Sequence, residues 1–182
     1  MTLTFVTSNP DKLTEAEDIL GIKMERKDIE LQEIQAVDIE TVARAKVEAA
    51  RRHIDPPVMV TDTGLYLEGL NGLPGALIKW FYKRIGNEGI CDILDGKPRE
   101  AEASTCIALH DGSDIHTFQG TVQGHIPETP RGDRGFGWDP IFVPEQHEST
   151  FAEMEPGTKN VLSMRKEALQ KLRDWLDQQK TG

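Results

Sequence analysis

The N-terminal segment constrains the fold most. Leu3-Thr4-Phe5-Val6 is an apolar run of strand length, and Thr7, Ser8, Asn9 and Pro10 follow it without a linker. Leu13, Ala16 and Leu20 then recur at helical spacing. Small polar residues and a proline at this junction are helix-start signals, so the chain opens as a strand turning straight into a capped helix. The same mixture continues downstream. Asp38 to about His53 reads as a helix, Pro56 and Pro57 punctuate, and Val58-Met59-Val60 reads as a short strand ending in Thr61-Asp62-Thr63-Gly64. Ala76 to Ile85 reads as a helix. Glu100 to Leu109 and Ile115 to Ile126 read as strands joined by the turn Asp111-Gly112-Ser113-Asp114. From Lys159 to Gln178, Leu162, Leu169, Leu172 and Leu176 form one stripe, which predicts a single closing amphipathic helix. Interleaved strands and helices predict an α/β or α+β fold.

At 182 residues, with no linker, repeat or low-complexity tract, the chain is expected to form one domain over 1–182. No basic and apolar leader and no run of about 20 apolar residues is present, so a cytoplasmic chain without a membrane partner is expected. Cys91 and Cys106 lack metal-binding spacing and read as reduced core thiols. The formal net charge of −10 argues against polymeric nucleic acid as a partner, because sequence-independent binding to it needs surplus Lys and Arg. A small polyanion remains accessible to an acidic chain that gathers a few cations and brings a metal ion.

Several residues fit that chemistry. The turn Thr7-Ser8-Asn9-Pro10-Asp11-Lys12 places a helix N-terminus, and the positive end of its dipole, after a strand, an arrangement that suits phosphate. Lys12 lies in the first helical turn against the dipole; it reads equally as a phosphate contact and as a surface lysine. Lys46 falls within the apolar stripe of Ile39, Val42, Ala43, Val47, Ala50 and Ile54, while Arg44, Glu48, Arg51 and Arg52 take the solvated face. It either snorkels past the short alanines or meets a partner carboxylate or an anion. Glu33 and Asp62 are candidate oxygen ligands for Mg²⁺, both expected at element ends. Pro130 to Pro140 is rich in glycine and carries Phe136 and Trp138, which read as an aromatic wall for a base or as core aromatics beside a tight turn. Lys159 and Arg165 bracket the start of the closing helix. No zinc-ligand or nucleophile-elbow spacing is found.

Four ordered blocks, TSNPDKLTEAEDIL at 7–20, VTDTGLYLEGLNGLPGALIKWF at 60–81, PRGDRGFGWDPIFVP at 130–144 and TFAEMEPGTKN at 150–160, make the chain resemble the inosine triphosphate pyrophosphatase or Ham1 family over nearly its whole length. The resemblance implies an elongated, two-lobed α/β fold with a long curved mixed sheet flanked by helices, a nucleotide cleft between the lobes, and a homodimer. It implies Mg²⁺-dependent conversion of non-standard purine nucleoside triphosphates, such as ITP, dITP and XTP, to monophosphate and pyrophosphate. It assigns Asp62 the role of base toward the attacking water, with Lys46 as catalytic cation. Thr7, Ser8, Asn9, Pro10, Asp11, Lys12 and Lys159 would hold phosphate, and Glu33 and Asp62 the metal. Thr63, Phe136, Gly137, Trp138 and Asp139 would contact the nucleotide, and Met164 and Arg165 the base. Relatives commonly read Ser-His-Arg where this chain has Ser163-Met164-Arg165, and often carry an acidic residue where it has Thr61. Two alternatives stay open at this stage: a related pyrophosphatase of relaxed or modified-pyrimidine specificity, and a nucleotide sensor without turnover.

Overall fold

The structure, a computed structural model, describes residues 2–181. Among these residues seven strands and five α-helices alternate: β1 (Thr4–Val6), α1 (Pro10–Leu20), β2 (Glu25–Lys27), α2 (Ile39–Ala50), β3 (Val58–Leu67), β4 (Pro74–Gly75), α3 (Ile78–Asp92), β5 (Glu100–His110), β6 (Ile115–His125), β7 (Val143–Pro144), α4 (Pro156–Leu162) and α5 (Met164–Thr181). The strands are ordered β2-β1-β3-β5-β6-β7, with β4 also pairing β3. β1 runs parallel to both β2 and β3, whereas β4 and β7 join antiparallel, so the sheet is mixed. The expected α/β class holds.

The helix starts follow the polar signals. Asn9 caps α1 by accepting from the Asp11 N–H at 2.8 Å, and Asp38 caps α2 by accepting from the Thr41 N–H at 2.7 Å. Four expectations need correction. The strand read at 58–60 continues to Leu67, because the β-branched Thr61 and Thr63 and the alternating Leu65 and Leu67 extend it; Asp62 is mid-strand and not at a terminus. Glu33 likewise lies in a segment without regular structure. The helix read at 76–85 extends to Asp92 across a break at Gly86. The single closing helix is two, since Ser163 adopts extended angles (φ −76°, ψ 140°) between α4 and α5. β2 was not expected at all: its Glu-Arg-Lys sequence is exposed and charged, as suits a sheet edge, and carries no apolar periodicity.

The chain divides into two compact units, one formed by Met1–Asp62, Thr105–Gly120 and Arg165–Gly182, the other by Thr63–Ser104 and Thr121–Met164. In the first, Phe5, Met59, Ile107 and Leu109 of the strands pack with Ala16 and Leu20 of α1 and Ala168, Leu169 and Leu172 of α5. Val58 and Val60, which alternate with Met59, are fully buried too, as is the α2 stripe Ile39, Ala43, Val47 and Ala50. Each such large side chain contributes about 1.5–3 kcal/mol by leaving water. In the second unit, Leu65, Leu67, Ile90, Leu94, Ile126, Phe142 and Phe151 form the core, which Leu162 and Met164 join. Both cysteines are free and buried; burial pushes the Cys91 thiol up to about 11 and the Cys106 thiol up to about 12. No helix among the described residues is long and apolar enough to cross a membrane.

Candidate active site

The first unit gathers three cations and three carboxylates. α2 carries Lys46 on its buried side, where short alanines leave room for the stem, and its Nζ lies 2.7 Å from Glu33 Oε1 and 3.7 Å from Asp62 Oδ1. The partner that a lysine on an apolar stripe requires is therefore this carboxylate pair. Asp62 is held by mid-strand β3, with its side chain 14% exposed, and its Oδ2 is buried without a hydrogen-bond partner among the described residues. Burial lifts the Asp62 carboxyl from its usual 3.8 to about 6; Lys46 works against that shift and the charge of Glu33 adds to it.

Lys12, in the first turn of α1, is half-buried. Burial, reinforced by the positive charges of Arg165 and Lys46, lowers its ammonium from the usual 10.5 to about 8, against the pull of Asp62 and Glu15. Arg165, at the start of α5, is 14% exposed and reaches Glu15 Oε2 with Nη1 at 2.6 Å, while its Nε and Glu15 Oε1 are buried without partners among the described residues. Lysines and a guanidinium this close destabilise one another, and an anion would relieve them.

The turn before α1 is built by its own side chains. Thr7 Oγ1 accepts from the Asn9 N–H at 3.1 Å, and the Arg26 guanidinium donates to the carbonyls of Thr7 and Ser8 at 3.2 and 3.4 Å. Ser8, Pro10 and Asp11 are exposed beside it. Glu15 and Arg26 are additions that the sequence reading missed. A signal existed for Glu15, which stands three residues after Lys12 on the same side of α1.

The second unit organises the other candidates around Asp139. Its buried carboxylate accepts from the Phe136 N–H at 2.7 Å and from the Lys159 ammonium, and Lys159 Nζ lies 4.8 Å from the Phe136 ring centroid. Gly135 has φ 76°, and a Cβ there would stand 2.1 Å from Asp139 Oδ2, so only glycine fits. The paired aromatic wall resolves into two different roles. Phe136 is 56% exposed, whereas Trp138 packs on the core edge-on to Phe142, at 5.7 Å between ring centroids. Met164 is buried in the same core. Thr63 follows Asp62 on β3 and is partly exposed.

Comparison with known proteins fits this arrangement of blocks. Residues 3–175 match the profile of the Ham1 family. The chain is 42% identical over 180 residues to the dITP/XTP pyrophosphatase of Thermococcus kodakarensis, covering 97% of each chain. It is 41% identical over 182 residues to the inosine triphosphate pyrophosphatase of Yarrowia lipolytica, covering 97% of this chain and 96% of that one. Among solved structures, a HAM1 protein from Coxiella burnetii superposes with a TM-score of 0.86 at 27% identity, over 98% of this chain and 100% of that one. On sequence and fold together, the chain belongs to the Ham1 family.

Proposed function

We propose that this protein is a divalent-metal-dependent pyrophosphohydrolase that converts non-standard purine nucleoside triphosphates, dITP, ITP and XTP among them, to monophosphate and pyrophosphate. The observation that carries the reading is the crowding around Lys12, which feels the positive charges of Arg165 and Lys46 and the carboxylates of Asp62 and Glu15, a set of charges that could take up a triphosphate together with a cation. Glu33 and Asp62 fit a hard cation: both are oxygen donors, both face the same ammonium, and Asp62 keeps a buried oxygen without a partner among the described residues. No group of three His, Cys, Asp or Glu gathers among the described residues, so substrate oxygens and water would complete the shell of an ion held there. Mg²⁺ is the ion we propose; when bound it supplies charge neutralisation and polarises the phosphoryl oxygens.

Hydrolysis forms a bond from water oxygen to the α-phosphorus and breaks the bond from that phosphorus to the bridging oxygen, which leaves with pyrophosphate. Asp62 takes the water proton as general base. Lys12 and Lys46 hold the phosphates and stabilise the charge that grows on the leaving oxygen, with the turn at Thr7, Ser8 and Asn9 presenting the α1 N-terminus. Arg165, anchored through Glu15, donates to a 6-keto oxygen and meets the 6-amino group of adenine donor against donor. Thr63, Phe136, Gly137, Trp138, Asp139 and Lys159 are the remaining proposed nucleotide contacts, with Asp139 acting through Lys159. The homodimer and the cytoplasmic setting belong to the same proposal, on the strength of the family resemblance.

The test incubates the purified protein with ITP, XTP, GTP and ATP, with Mg²⁺ or with chelator, and identifies the products. Pyrophosphate from ITP and XTP, lost on chelation, supports the reading. Inorganic phosphate plus diphosphate, or equal turnover of ATP, overturns it.

A further inference from the structure

α3 is interrupted inside the second unit by Gly86, whose φ of 70° and ψ of −177° leave the helical region before the helix resumes. A side chain at that φ would be strained, so glycine makes the break possible. The residue that follows, Asn87, is half-buried and turns away from its own helix to a loop fifty residues downstream: its Nδ2 donates to the Gly137 carbonyl at 3.0 Å. Its Oδ1 is buried without a partner among the described residues. An acceptor left in that state is unfavourable, so what the carboxamide gains at this place is the bond from Nδ2 to the loop.

The bond closes a set. Asp139 accepts the Phe136 N–H at 2.7 Å, and the Asp139 N–H returns to the Phe136 carbonyl at 3.2 Å. Those two bonds hold the turn from inside, but neither engages the carbonyl of Gly137, a residue with φ 63° at which glycine tolerates more than one peptide orientation. Asn87 supplies the contact from outside the turn that holds one of them. We propose that Asn87 is a positioning residue: its carboxamide fixes the Gly137 peptide, and with it the exposed ring of Phe136, so that the segment is already in its binding geometry before nucleotide arrives. The effect on nucleotide rests on the function proposed above; the effect on the loop does not.

Two variants test it. Asn87→Leu removes the donor at similar volume, and Asn87→Asp keeps the shape but donates only while protonated. Amide hydrogen exchange without nucleotide is expected to quicken about tenfold at residues 135–139 in Asn87→Leu, because the restraint on the loop is gone. With dITP or XTP, KM is expected to rise about fivefold at nearly constant kcat, the change one neutral hydrogen bond converts to. The Asn87→Asp to wild-type ratio of kcat/KM should fall as pH rises and the carboxyl ionises, a trend that a merely structural role would not produce. Unchanged exchange at 135–139 with unchanged KM overturns the proposal, as does a loss confined to kcat. Wild-type protein that releases no pyrophosphate while Asn87→Leu still loosens the loop defeats the functional reading and leaves the positioning role standing.

Discussion

The Lys46 ammonium stands 3.7 Å from Asp62 Oδ1, while Asp62 Oδ2 is buried with no partner among the described residues. One oxygen of the carboxylate is thus electrostatically engaged and the other is held in reserve. Asp62→Asn keeps the shape and removes the charge. Its kcat for dITP or XTP is expected to fall about 10²–10⁴-fold, the range of a lost general base, with a much smaller change in substrate affinity. Steady-state kinetics beside equilibrium binding of a non-hydrolysable analogue checks this, and comparable losses in both would remove Asp62 from the chemical step.

Lys46→Ala leaves Glu33 and Asp62 facing each other without the ammonium that now separates them. KM for the triphosphate is expected to rise about 10–100-fold, the loss of one charge-assisted contact, while the fold persists because the α2 stripe is intact. Near-normal KM, or loss of the helical circular-dichroism signal, would contradict this.

Stability should respond to pH through the same site, and the sign is fixed by the shifts. Folded Asp62 keeps its proton to about pH 6, whereas an unfolded aspartate releases it near 3.8. The folded chain therefore binds more protons between these values, and stability falls as pH rises through that window. Lys12 acts oppositely and later: folded, it loses its proton near 8 and unfolded near 10.5, so stability climbs with pH over that range. Thermal unfolding of wild type and Asp62→Asn from pH 4 to 8 should coincide at the acid end and then diverge, the variant becoming the more stable by on the order of 2–3 kcal/mol above pH 6. A difference that is constant with pH would count against the raised pKa.

Asp139→Ala strips the buried partner from Lys159 and from the Phe136 N–H at once. Leaving that ammonium uncompensated is expected to cost about 3–5 kcal/mol in denaturant unfolding. Asp139→Asn, which still accepts from Phe136, should lose less. Equal losses would show that the charge of Asp139 does not matter.

Legibility in the sequence tracked how local each cause was. Lys46 was visible because an ammonium on an apolar stripe is an anomaly within one helix, and the capped start of α1 is written in four adjacent residues. Glu33 was read at the end of an element that the fold does not form, and it reaches Lys46 from a segment without regular structure. The break at Ser163 was hidden because Leu162 continues the stripe of Leu169 and Leu172 in register, although it packs in a different core. Phe136 and Trp138 looked equivalent two residues apart. Only the fold, by packing Trp138 on Phe142, shows that one ring is partly buried against the core and the other exposed. Met164 illustrates the reverse: its departure from the family's usual residue is plain in the sequence, but only the fold shows that the thioether lies among apolar neighbours.

The order of assembly follows from how the units draw on the chain. The second unit ends at Met164, so every residue it needs has been synthesised before Arg165 is added. The first unit brackets the second in sequence: Phe5, made before it, shares a core with Leu169 and Leu172, made after it. The second unit therefore has all its residues once Met164 has cleared the ribosome, whereas the strand β1 lacks its α5 cover until Leu169 and Leu172 have cleared it as well.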